Sequence, residues 1–249
     1  MTERVAIDLH VHTALSPCAA GEMTPPVILL EAERRGVRVV GVVDHSTARN
    51  AQAVLEAAPA FDVRVFVGLE IESAEGVHIL ALFDSADAAM AMDALVAEHL
   101  PDRPNRVDVF GPQLLLDAMG DVVGEDPRLL STAVDLGIEE IADLTAMQGG
   151  LAVPAHIDRR ANGLLPTLGF VPPGLHADLW ELSPHVQPRE ARETWPELKT
   201  RALLNGSDAH FPEDIGAAST WVSAQLAGAP LRPADWGREV ARELLGSAG

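Results

Sequence analysis

The sequence predicts an α/β fold in which parallel strands, each followed by a helix, wrap into a barrel. Three observations predict it. Apolar, β-branched runs such as Val5-Ala6-Ile7 and Val39-Val40-Gly41-Val42-Val43 alternate with helical patterns almost from the first residue. Six of the nine histidines stand with acids at the edges of such runs: Asp8-Leu9-His10-Val11-His12, Asp44-His45, Glu70 with His78, Pro154-Ala155-His156 and Ser207-Asp208-Ala209-His210. A parallel barrel brings such strand ends together, because its C-terminal strand ends converge on one face. Finally, 249 residues with 47% hydrophobic content suit one barrel-sized domain, read as residues 1–249.

The elements follow in order. The first strand carries Val5 to His12. Thr24-Pro25-Pro26 then opens a helix, with Thr24 as N-cap and Pro25 in the first turn, and Val27 to Arg35 continue it until Gly36. Val37 to Val43 is the second strand, Ala48 to Ala58 the second helix, and Val63 to Val67 a third strand leading into Gly68-Leu69-Glu70. Val77 to Phe83 reads as a fourth strand. From 84 to 149 the pattern changes to a helical insertion or cap: helix at Ala86 to Leu100, a linker at Pro101 to Asp108, and helical patterns at Pro112 to Met119 and Pro127 to Met147. Strands resume at Leu151 to Ala155, Asp178 to Glu181, Ala202 to Leu204 and Thr220 to Ser223. An amphipathic helix, Pro233 to Leu245, closes the chain.

Charge and composition narrow the partners. The formal net charge is −19, and three divalent cations bring it only to −13 (−19 + 6). With 18 basic against 37 acidic residues and no basic run, no long nucleic acid is expected, and a small substrate held by metal ions fits better. No apolar stretch approaches the roughly 18 residues of a membrane span, so no membrane partner is expected. Met1-Thr2-Glu3-Arg4 has no signal-peptide pattern, and the expected location is cytoplasmic. Cys18, the single cysteine, has no partner for an internal disulfide.

His10 and His12 are two apart, so an extended strand points both the same way, where two imidazoles can bind one ion. Asp8 is read as an acceptor that takes an imidazole's free N–H, and Asp44 before His45 repeats the arrangement. Glu70 closes the third strand, and a carboxylate, unlike an imidazole, readily bridges two cations. Each motif has an ordinary alternative, such as a solvated acid for Glu70 or a core histidine for His78. Repeated at so many strand ends, the ordinary alternatives become a poor account of the whole.

These motifs together resemble those of the PHP (polymerase and histidinol phosphatase) family. The likeness covers residues 5 to about 215 through Asp8-Leu9-His10-Val11-His12-Thr13, Val43-Asp44-His45-Ser46, Gly68-Leu69-Glu70 with His78, and Pro154-Ala155-His156 followed by Gly206-Ser207-Asp208-Ala209-His210. The resemblance implies a distorted (β/α)7 barrel holding two to three divalent transition-metal ions, whether zinc, iron or manganese, and hydrolysing phosphoesters. By motif match, His10, His12, Glu70 and Asp208 hold one ion, Glu70 bridges to a second held by His78 and His156, and His45 and His210 serve a third. Family members often place an Asp or His seven or eight residues after the first histidine. Here that stretch reads Leu15-Ser16-Pro17-Cys18, so Cys18 is either a soft ligand of the third ion, favouring zinc or iron, or a small buried thiol.

The expected reaction is attack on a small phosphorylated metabolite by hydroxide formed from water whose pKa a metal ion lowers towards about 7. Asp208 and Glu70 are the candidate catalytic carboxylates, with Asp208 or the partner of a metal-bound histidine as the candidate proton carrier. Arg159, Arg160 and Arg49 are candidate phosphate contacts or else ordinary surface charge; Asn162 and Ser46 could add hydrogen bonds. His99, His176 and His185 fall outside the site, and Trp180, Trp195, Trp221 and Trp236 are read as core. The competing functions are a nucleotide or short-oligonucleotide phosphatase or nuclease, a C–N bond hydrolase, and a non-catalytic metal-binding module.

Overall fold

A computed structural model describes residues 3–246. Met1 and Thr2, part of the stretch read for a signal pattern, lie outside the described residues, as do residues 247–249. The strands are β1 (Arg4–Val11), β2 (Val37–His45), β3 (Arg64–Glu72), β4 (His78–Phe83), β5 (Leu114–Leu116), β6 (Val122–Glu125), β7 (Leu151–Pro154), β8 (Leu179–Leu182), β9 (Ala202–Asn205) and β10 (Thr220–Ser223). The helices are α1 (Pro25–Arg34), α2 (Ala51–Ala57), α3 (Ala86–His99), α4 (Val107–Phe110), α5 (Ile138–Met147), α6 (Leu164–Leu168), α7 (Pro188–Thr194), α8 (Ala224–Ala227) and α9 (Pro233–Gly246).

Six strands form a curled sheet in the order β10-β1-β2-β3-β4-β7, and β8 pairs with β9 beside it. β1, β2 and β3 are parallel, as the alternation with α1 and α2 requires. β4 is antiparallel to both β3 and β7, and β10 is antiparallel to β1, so the sheet is mixed. The reason is visible at the β3–β4 connection: a short turn through residues 73–77 replaces a crossover helix, and a short turn can join only antiparallel neighbours. A parallel bridge from Val11 to Ala209 ties the end of β1 to the segment after β9. The α/β class and a distorted, barrel-like curl are as the sequence indicates.

The sequence-read boundaries hold closely at β2 and α1. Thr24 is the extended N-cap of α1, although its side chain makes no capping bond, and Gly36 follows the helix with φ +73°, a conformation open to glycine. The 84–149 segment departs from the helical expectation. α3 and α5 are helical, but 112–119 contains β5, which forms a hairpin with β6, and only Ile138–Met147 of the second pattern is helix. A run of three leucines fits either structure, and here pairing with Val122–Glu125 decides.

Two apolar clusters hold the molecule together. One joins Ile7, Val39, Phe66, Leu82, Leu151, Leu179 and Leu204 to Trp236 and Val240 of α9. The larger lies between the strands and helices α1, α3 and α5. Trp180 and Trp236 are fully buried as expected, Trp195 is partly buried, and Trp221 is 55% exposed because β10 is a sheet edge whose alternate residues face solvent.

Candidate metal centre

All six strand-end histidines converge with Glu70 and Asp208. His10 Nε2 lies 3.1 Å from His12 Nε2, 3.4 Å from Glu70 Oε1 and 3.3 Å from Asp208 Oδ1. His12 Nε2 is 3.4 Å from Glu70 Oε2 and 3.2 Å from Asp208 Oδ1. Ligands about 2.0–2.1 Å from one tetrahedral ion stand roughly 3.3 Å apart, which is the spacing of this quartet.

Proton placement makes the same point. His10 Nδ1 lies 2.9 Å from Glu181 Oε1, and a carboxylate only accepts, so His10 carries its proton on Nδ1. Ser16 Oγ donates to Asp44 Oδ1 at 2.7 Å and therefore accepts from His12 Nδ1 at 2.8 Å. In the neutral rings both Nε2 atoms then present lone pairs to each other and to two carboxylates. Four acceptors facing one point, with Glu70 Oε2 buried and without a hydrogen-bond partner among the described residues, fit a divalent cation.

Two further groupings adjoin the first: His45, Glu70 and His78, and His12, His45 and His210. Glu70 is the hub, with His78 Nδ1 at 2.6 Å, His156 Nε2 at 3.0 Å and His45 Nδ1 at 3.0 Å. His156 thus reaches Glu70, and both His78 and His156 meet its Oε1 while His45 meets Oε2. Cys18 is exposed at the edge of the cleft and outside all three groupings, so it is neither a buried thiol nor placed with a ligand set.

Electrostatics follow from burial against charge. Burial would raise the Glu70 carboxyl, but His78, His10 and His45 hold it well below its ordinary range. Burial would also raise Asp208, and His10 and His12 hold it well below as well, so it stays ionised. Burial opposes charge on His10, His12, His78 and His156. At His10 the carboxylates of Glu181, Glu70 and Asp208 prevail and its pKa stands well above the usual value; at His78 burial is overcome by Glu70, to about 9. Burial, with His210 beside it, holds His12 well below, and burial lowers His156.

The backbone is strained around this cleft. All five non-glycine residues of positive φ among the described residues, Cys18, Ser46, His156, Asn162 and Asp208, lie in the strand-end loops that surround it. Such conformations persist where surrounding structure enforces them. The glycine of Gly68-Leu69-Glu70 has its own reason: a Cβ there would run into the carbonyl oxygen of Ala81 on β4.

Several expectations need correction. Asp8 takes no imidazole proton; it accepts the backbone N–H groups of Ser207 at 3.0 Å and Gly216 at 2.9 Å, tying the Asp208 loop to β1. Burial raises its pKa to about 6. Asp44 supports His12 through Ser16 and accepts from the Thr13 backbone at 2.8 Å. Of the three arginines, only Arg159 lines the cleft, its Nη1 2.6 Å from Asp208 Oδ2. Arg49 turns away to buried Asp126 at 3.0 Å, which Arg128 also engages, and Arg160 is exposed outside the cleft. Asn162 lines the cleft, and Ser46 donates its backbone N–H to Glu70 O at 2.8 Å. His99 pairs with Asp135 at the surface, away from the centre. Sequence reasoning missed Ser16 and Glu181. The signal for Glu181 was an acid within the apolar run Leu179-Trp180-Glu181-Leu182, fully buried in the fold.

No family model matches the chain. By sequence it is 34% identical over 90 residues to the uncharacterized protein MJ1587 of Methanocaldococcus jannaschii, covering 32% of this chain and 51% of that protein. In fold it is similar to the lesion-specific endonuclease PfuEndoQ of Pyrococcus furiosus, with TM-score 0.63 and 20% identity over 84% of this chain and 49% of that one. Endonuclease Q in complex with a 27-mer duplex bearing an abasic lesion at the active site gives TM-score 0.60 at 20% identity, over 84% and 50% of the two chains. A two-domain Bacteroides vulgatus protein containing a predicted PHP-like metal-dependent phosphoesterase gives TM-score 0.55 at 15% identity, over 98% of this chain and 64% of that one. The chain has a PHP-type fold. It spans about half the length of MJ1587 and of Endonuclease Q.

The exclusion of long nucleic acid is overturned by this comparison, because Endonuclease Q has a similar fold and takes a 27-mer duplex. A net charge of −19 sums over the whole surface, whereas binding answers to the local field at a cleft, and the cleft of this chain includes Arg159. As for membranes, no helix among the described residues is long and apolar enough to cross one.

Proposed function

We propose that this chain is a metal-dependent hydrolase of phosphate esters. The observation that carries the proposal is the quartet of His10, His12, Glu70 and Asp208, whose imidazole nitrogens stand 3.1 Å apart and 3.2–3.4 Å from the carboxylate oxygens, with Arg159 on the outer oxygen of Asp208. The quartet would hold one ion. Glu70, His78, His45 and His156 offer donors for a second, and His12, His45 and His210 for a third. Bound divalent ions would supply Lewis acidity towards phosphoryl oxygens and acidify water.

The chain's own groups do the rest. Arg159 would bind a phosphoryl oxygen by a charge-assisted hydrogen bond, and Asp208 fixes the guanidinium that does so. Glu70 and Asp208 remain our candidate catalytic groups, Glu70 as the carboxylate shared by the imidazoles and Asp208 as a fixed negative charge. Ser16 and Asp44 hold the His12 ring. We also take residues 1–249 as one domain, with β1, β2, β3, β4, β7, β8 and β9 as the seven staves of its barrel, supported by the contact of β8 with β7 and the Val11–Ala209 bridge.

A cleft of about 370 Å³ that includes Arg159, Asn162, His45 and His210 suits a small phosphorylated metabolite. The likeness to Endonuclease Q favours a second reading, a nuclease or nucleotide phosphatase. The test is to strip the protein with chelator, restore zinc, iron(II) or manganese, and assay an aryl phosphate, mononucleotides and an abasic duplex side by side. Phosphate-ester cleavage that needs metal and falls in Arg159→Ala supports the proposal. Loss of none of the activity on chelation, or no cleavage of any substrate with any metal, contradicts it.

A further inference from the structure

Glu181 is buried between Trp180 and Leu182, and its only ion-pair partner among the described residues is an imidazole. A carboxylate so placed is costly unless compensated by nearby positive charge and hydrogen bonds. One oxygen does two things. Oε1 accepts from His10 Nδ1 at 2.9 Å and from the backbone N–H of His156 at 3.2 Å. The first bond turns His10 Nε2 towards Glu70 and Asp208. The second holds His156 at φ +30°, a strained conformation that requires restraint, with its Nε2 at Glu70.

The seat for the carboxylate is built into the neighbouring loop. A Cβ on Gly206 would stand 2.6 Å from Glu181 Oε2 and 3.1 Å from His10 Cβ, so a side chain at 206 would push Glu181 off its partners. Glu181 Oε2 and His156 Nδ1 are both buried without a hydrogen-bond partner among the described residues, which leaves the Oε1 contacts as the carboxylate's hold on the site.

We propose that Glu181 is a positioning residue that couples two ion positions, fixing the His10 ring for the first and the His156 backbone for the second through a single oxygen. The inference rests on the metal site of the preceding section. It is tested by titrating metal-free protein with Zn²⁺ against a chromophoric chelator, reading each binding step, with thermal unfolding in chelator as the check on folding. Glu181→Leu, of similar size and without an acceptor, should weaken both of the first two steps by about 10- to 100-fold, the usual effect of losing a hydrogen-bond partner of a metal-binding histidine. Glu181→Gln keeps an amide oxygen at the Oε1 position and should stay close to wild type. Gly206→Ala leaves the carboxylate in the chain and should weaken both steps together, which also decides the matter if Glu181→Leu fails to fold.

Weakening of the first step alone would overturn the coupling, and unchanged affinities in Glu181→Leu or Gly206→Ala would overturn the role of Glu181 altogether. Wild-type protein that takes up no zinc would instead overturn the metal site itself. The two failures are therefore distinguishable.

Discussion

Replacing Asp208 by asparagine separates metal binding from folding. Asp208 Oδ1 stands 3.3 Å from His10 Nε2 and 3.2 Å from His12 Nε2, while Oδ2 accepts from Arg159 at 2.6 Å. An asparagine has one accepting oxygen and one donating NH₂. Because Arg159 only donates, the amide oxygen must turn to it, and the NH₂ then faces the imidazole nitrogens. In metal-free protein the neutral His12 accepts from that NH₂ at Nε2, while His10, whose charge Glu181 and Glu70 still balance, loses one anionic neighbour, so the fold should lose about 1–3 kcal/mol. With metal the same NH₂ points at a cation. Removing one partner of a buried charge pair costs about 3–5 kcal/mol, which at 1.4 kcal/mol per decade is roughly a 10²- to 10⁴-fold loss of affinity. Zinc titration of Asp208→Asn against wild type, with thermal unfolding of both in chelator, measures the two terms separately. Unchanged zinc affinity in a folded variant would refute the placement of Asp208 in the quartet.

Other expected outcomes follow from the same contacts. Arg159→Ala should reduce kcat/KM on a phosphate ester by about 10- to 100-fold, in line with the 1.5–3 kcal/mol of a hydrogen bond to a charged group, with metal content retained; an unchanged kcat/KM would remove Arg159 from the substrate site. Burial would raise the Asp126 carboxyl, but Arg128 and Arg49 depress it below its ordinary value. Its contribution to stability is then present above the unfolded carboxyl pKa and lost as pH falls through the lower folded value. Asp126→Asn should flatten the acid limb of stability measured by denaturant titration, and an acid limb as steep as wild type would contradict this. Trp236→Ala, which removes a fully buried ring packed 5.1 Å from that of Phe66, should destabilise by about 3–5 kcal/mol in the same assay, whereas a loss under 1 kcal/mol would mean α9 is not part of the core.

Most of the candidate site was legible in the sequence for a physical reason. Its histidines and acids sit at strand ends, and period-two geometry sends His10 and His12 the same way without help from the rest of the fold. What it left obscure depended on partners remote in sequence. Arg49 follows Asp44-His45 closely enough to suggest a phosphate contact, yet a long side chain goes where its counter-charge lies, here Asp126, 77 positions away. Asp8 looked like an imidazole acceptor because His10 is near in sequence, whereas its partners are the loop amides of Ser207 and Gly216. Glu181 is 171 positions from the ring it orients, with no histidine beside it to mark it. In the fold, leucine runs at 114–116 and the short turn before His78 left strand direction and even secondary structure to tertiary pairing.

We propose the strand-end cluster as a metal centre that cleaves phosphate esters. Elemental analysis of protein purified without added metal, paired with hydrolysis of an aryl phosphate before and after chelation, tests it most directly. At least two transition-metal ions per chain, matching the overlapping donor groups, with phosphate release that disappears on chelation and returns on metal restoration, is the predicted result. Less than one ion per chain and no release after zinc, iron or manganese is restored would contradict it.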